Sequence, residues 1–70
     1  MSNKTLGEFI KHLRISQNIS TSEIAKNLTI SEAEYIKREN GEMSIYVDDL
    51  KIIADTLSVD ELTLIEKYKY

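Results

Sequence analysis

The chain has 70 residues, a net charge of -3, 41% hydrophobic residues and no cysteine, proline or tryptophan. At this length it builds one small domain, expected over residues 1–70, which buries only about 60% of its extended-chain surface and so leaves association with a second copy open. One histidine and no cysteine exclude thiolate catalysis, disulfides and the usual zinc ligand sets, and so short a chain has little scaffold to wall a cleft; no enzyme, metal site or cofactor is expected.

With two glycines and no proline there are few places for the turns of a sheet, whereas apolar spacings of three and four recur. The expectation is all-α, a compact five-helix bundle. Thr5 with Glu8 reads as a capping box that opens a first helix over about Leu6 to Gln17, with Leu6, Phe9, Ile10 and Leu13 on one face. Ser20 with Glu23 opens the second, ahead of Ile24, Ala25 and Leu28. Ser31 with Glu34 opens the third, where Ile30 is placed to staple against Tyr35. Asn40-Gly41 closes it, since glycine accepts the left-handed backbone that ends a helix, and a loop to about Tyr46 follows. Val47, Leu50, Ile53, Ala54 and Leu57 give the fourth helix its apolar stripe. Ser58 with Glu61 is expected to start the fifth, over about 59–68, carrying Leu62, Ile65 and Tyr68. No apolar run exceeds three residues, and Met1-Ser2-Asn3-Lys4 opens no hydrophobic signal region. No membrane span is expected, and the expected location is cytoplasmic.

The second and third helices, separated by a turn of about three residues, have helix-turn-helix spacing over about 21–40. In such a unit the second helix is held off the surface by the first, so its outer face can lie along a major groove. The pieces Leu6-Gly7-Glu8, Leu13-Arg14, Glu23-Ile24-Ala25, Leu28, Ile30-Ser31, Glu39-Asn40-Gly41, Leu50, Ile53-Ala54 and Leu57 together resemble the phage-repressor and Cro-like helix-turn-helix family, the XRE family of bacterial and phage regulators. The resemblance spans Leu6 to Leu62. It implies a DNA-binding domain, usually a homodimer on a two-fold, pseudo-palindromic operator in duplex DNA.

By the same resemblance, Arg14 pairs with Glu39 and fastens the first helix to the end of the third, while also facing a phosphate. Thr21 and Ser22, in the first turn of the second helix, stand at a phosphate contact, as does Asn40; helix amino ends attract phosphate without a cationic side chain. The groove-facing positions are Glu32, Ala33, Ile36 and Lys37, with Tyr35 and the stem of Arg38 turned to the core. Lys37 suits guanine O6 and N7, Glu32 cytosine N4, and Ala33 or Ile36 a thymine methyl.

Charge by segment pulls the other way. Residues 1–19 carry +2, residues 20–43 carry -2 and residues 44–70 carry -3. The helix-turn-helix itself is acidic, whereas affinity for DNA rests largely on neutralising phosphates. Capping accounts for Glu8, Glu23 and Glu34 but not for Glu32 and Glu42. A second reading follows, in which the fold serves a protein partner as an adaptor, antirepressor or antitoxin-like module whose acidic third helix meets a basic surface. Thr29 stands where the family often has glycine, at a cost of about 1 kcal/mol if its backbone is left-handed. His12 lies on the polar side of the first helix, and Asp48-Asp49 and Asp60-Glu61 read as charges at helix starts rather than acid-base pairs. In the fifth helix Leu62, Leu64, Ile65, Tyr68 and Tyr70 spread over more than one face, and Leu62, Ile65 and Tyr68 are the expected dimer contact.

Overall fold

The computed structural model describes residues 2–68, and among them the chain forms five helices and no strand: α1 (Ser2–Ser16), α2 (Thr21–Leu28), α3 (Glu32–Glu39), α4 (Val47–Leu57) and α5 (Glu61–Lys67). Serine caps open the two central helices. Ser20 Oγ accepts the Glu23 amide and Ser31 Oγ the Glu34 amide, each at 3.1 Å, satisfying donors that have no partner inside the helix.

Four of the five helices end by a single device. Asn18, Thr29 and Ser58 sit in the left-handed region with φ of 59°, 60° and 57°. The residue after each, Ile19, Ile30 or Val59, sends its amide back five residues to the carbonyl of Arg14, Ala25 or Ala54, at 3.0, 3.1 and 3.0 Å. These are Schellman closures, and each places a β-branched side chain against the core. The next residue, Ser20, Ser31 or Asp60, already stands at the N-cap of the following helix. The same three-residue joint therefore connects α1 to α2, α2 to α3 and α4 to α5. The end of α3 closes likewise at Gly41 (φ 83°), with the Glu42 amide donating to Lys37 O at 2.8 Å.

Three expectations need correction. Thr5 lies inside α1 rather than capping it, because the first turn of α1 rests on Gly41: a Cβ there would stand 3.0 Å from Lys4 Cα. This tertiary contact extends the helix beyond its local signal. Ser58 closes α4 instead of opening α5, whose N-cap is Asp60. Val47 is 54% exposed at the rim of α4 instead of lying in its apolar stripe. In α5 the buried residue is Leu64, and Leu62 and Ile65 stand exposed.

The core gathers Leu6 and Ile10 of α1, Ile24 and Ala25 of α2, Tyr35 of α3, Ile45 of the loop, four α4 residues and Leu64. Around it, α3 is held between α1, α2 and the first turn of α4. Gly7 lets α1 cross the end of α3 closely: a Cβ there would overlap the Glu39 carbonyl oxygen and stand 2.9 Å from its carbon. Beside this crossing Arg14 Nε and Nη2 donate to the Glu39 carboxylate at 2.9 and 3.0 Å, Arg14 Nη1 donates to Ile19 O at 3.0 Å, and the Tyr35 hydroxyl donates to Glu39 Oε2 at 2.6 Å. The side bond to Glu39 raises the Arg14 pKa further above its ordinary value. Burial, reinforced by the hydrogen bond and charge of Glu39, pushes the Tyr35 phenol well above its usual range. On the other side Arg38 Nη1 donates to Asp49 Oδ2 at 3.1 Å, Nη2 pairs with Glu34, and the guanidinium lies 4.7 Å from the centre of the Tyr46 ring. Gln17 Nε2 donates to Leu57 O at 2.8 Å and Asn27 Nδ2 to Thr56 Oγ1 at 3.0 Å, tying α1 and α2 to α4.

Two measurements test these features. Thr29 pays the steric cost of a β-branched side chain in the left-handed region, so Thr29→Gly is expected to raise stability by about 0.5–1 kcal/mol and the midpoint of thermal unfolding by about 4 °C; a lowered midpoint would contradict the strain. Tyr35→Phe is expected to cost about 1 kcal/mol at pH 7 through the lost hydrogen bond. Because the folded pKa of Tyr35 is raised, its contribution is complete below the unfolded value of 10.0 and is lost as pH rises above it, at up to about 1.4 kcal/mol per pH unit. Urea unfolding at pH 7 and at pH 10–11 should therefore show the deficit of the variant shrinking in alkali; an unchanged deficit would exclude a raised Tyr35 pKa.

Candidate nucleic-acid interface

The inner side of α3 is fully engaged, with Tyr35, Arg38 and Glu39 buried, and its outer side is bare. Glu32, Ala33, Ile36 and Lys37 are all exposed, spaced at i, i+1, i+4 and i+5 along one face. Ile36 is 39% exposed, a branched apolar side chain facing water on a surface with no internal use for it. Among the described residues Lys37 and Ala33 make no side-chain bond, whereas Glu32 does: its Oε2 accepts the Thr21 hydroxyl at 2.6 Å. This bond joins the first residue of α2 to the first residue of α3 and limits the rotamers of Glu32, an exposed residue whose other oxygen makes no hydrogen bond among the described residues.

The phosphate candidates are distributed around that face. Thr21 is half-buried and Ser22 exposed in the first turn of α2, and Asn40 is exposed at the end of α3. Arg14 is 12% exposed; its bonds to Glu39 and Ile19 leave one N–H on each terminal nitrogen. The structure thus sets Glu32, Ala33, Ile36, Lys37 and Asn40 along one face of α3 and joins Thr21 to it through Glu32, with Ser22 exposed beside Thr21.

Sequence reasoning left Asp49 as a helix-start charge, yet it is the partner that draws Arg38 out of solution. With Arg38 and Glu39 both buried in ion pairs, the exposed charges of residues 20–43 are Lys26 and Lys37 against Glu23, Glu32 and Glu42. His12 is exposed, and among the described residues no group of three or more histidine, aspartate or glutamate side chains could hold a metal. No described helix is long and apolar enough to cross a membrane. In α5, Leu62 and Ile65 are 62% and 41% exposed, while Tyr68 packs partly against the core of its own chain; Tyr70 lies outside the described residues.

A family model described as helix-turn-helix matches residues 10–64, from the middle of α1 into α5. A search of curated proteins finds no match. The matched span includes the α2–α3 unit, the Arg14–Glu39 pair that anchors it and the whole of α4. By this match, and with an all-helical fold that presents the outer face of α3, the chain belongs to the helix-turn-helix family of phage-repressor and Cro-like, XRE-type DNA-binding transcriptional regulators.

Proposed function

We propose that this protein is a cytoplasmic repressor that binds a specific pseudo-palindromic duplex operator as a homodimer. The observation that carries the reading is the outer face of α3, where Glu32, Ala33, Ile36 and Lys37 stand exposed on a helix locked from behind. Lys37 donates to guanine O6 or N7, the Glu32 oxygen not bonded to Thr21 accepts from cytosine N4, and Ala33 and Ile36 meet thymine methyl groups. Thr21, Ser22, Asn40 and the remaining Arg14 donors set the register on the phosphates. Leu62 and Ile65, three residues apart on α5, supply the apolar centre of a two-fold contact, with the exposed part of Tyr68 at its edge.

A second reading is favoured by the exposed charge of the helix-turn-helix, in which carboxylates outnumber lysines. There the same face of α3 meets a basic protein surface. Selection of bound fragments from a random duplex pool at low salt separates the two. The operator reading expects a pseudo-palindrome with half-site centres about 34–36 Å apart, or a multiple of that spacing; retention no better than that of an acidic control protein would overturn it in favour of the protein partner. Glu32→Gln keeps the acceptor for Thr21 and leaves Arg38 paired, so it removes one charge from the face without disturbing its frame. Its binding to non-specific duplex should tighten about threefold to tenfold at low salt, read by fluorescence anisotropy; unchanged binding would place Glu32 away from the DNA.

A further inference from the structure

Gripping a phosphate backbone takes cations, and few remain beside α3. Arg38 is buried against Asp49 and Glu34, and Arg14, with its charge paired to Glu39, keeps only one N–H on each terminal nitrogen. The stretch from Asn40 to Tyr46, which leaves α3 and would pass the DNA strand at that end of the helix, holds no lysine or arginine and contributes Glu42 instead.

One cation reaches this place from elsewhere in the chain. Lys4, in the first turn of α1, is exposed and takes part in no ion pair among the described residues. Its stem crosses Gly41: a Cβ on that glycine would stand 3.1 Å from Lys4 Cβ and 3.4 Å from Lys4 Cγ. The absent side chain at 41 is therefore what lets the lysine lie across the exit of α3, directly after Asn40. We propose that Lys4, on a helix outside the helix-turn-helix, supplies the cation that contacts the DNA backbone at the end of α3. The inference rests on the DNA-binding reading above and adds a residue to it.

The test compares the full chain with Lys4→Gln, Lys4→Arg and Lys51→Gln by anisotropy titrations on a random duplex between 50 and 200 mM salt. Lys51 is an exposed lysine on α4, away from Asp49 and Thr56, the residues by which that helix faces α3 and α2, and its replacement changes the net charge by the same amount. Expected for Lys4→Gln is a loss of about threefold to tenfold at the lower salt, with the slope of log affinity against log salt shallower by about 0.9. Lys4→Arg should retain the wild-type slope, and Lys51→Gln should shift it far less. A slope for Lys4→Gln equal to that of wild type or of Lys51→Gln would overturn the proposal while leaving the DNA-binding reading intact. No salt-dependent binding by the wild type would overturn both.

Discussion

The carboxylate of Glu39 is the point on which the arrangement turns. It receives two donors from Arg14 of α1 and one from Tyr35 of its own helix, and it does so at the place where Gly7 brings α1 against the Glu39 carbonyl. A buried ion pair returns little net stability, because its desolvation cost offsets most of the attraction, but loss of one partner leaves a charge stranded and costs about 3–5 kcal/mol. Such a pair specifies rather than strengthens. Here it specifies the height and rotation of α3 relative to the rest of the domain, and hence which residues of that helix face outward.

On the opposite flank Arg38 does comparable work with weaker geometry, reaching Asp49 of α4 and Glu34 of its own helix beneath the Tyr46 ring. Its Nε is buried without a hydrogen-bond partner, a cost that the stacking and the two carboxylates must outweigh. Between them the two arginines clamp α3 from both sides. The consequence for the surface is electrostatic: cations that a basic-patch argument would count toward DNA are internal fasteners, and the exposed balance of the α2–α3 unit is set by what is left.

Much of this was legible in the chain. Periodicity gave five helices, Ser20 and Ser31 gave two starts, and Asn40-Gly41 gave one end, because each signal is local and owes little to the rest of the molecule. Thr5 and Ser58 misled for the same reason: a hydroxyl three residues before a glutamate looks alike whether or not a helix is already running through it. The repeat of Asn18-Ile19-Ser20, Thr29-Ile30-Ser31 and Ser58-Val59-Asp60 was present in the sequence, and reading the three together would have assigned Ser58 to a helix end. Asp49 was not legible in this way. Its pairing with Arg38 depends on how α4 crosses α3, which no local pattern encodes, and the Lys4–Gly41 contact is likewise a product of helix crossing.

Those three joints also set where the chain has slack. Each satisfies carbonyls of one helix within three residues, the first two also cap an amide of the next through Ser20 or Ser31, and the central Ile or Val of each is committed to the core. An added residue at any of them would break a Schellman closure and withdraw a core side chain in the same stroke. Among the described residues, the interhelical stretch with the most room to change length lies beyond the Gly41 closure, between Met43 and Tyr46, where Ile45 is the buried residue. A residue added there would lengthen the loop at the edge of α3, altering what the domain touches more than how it folds.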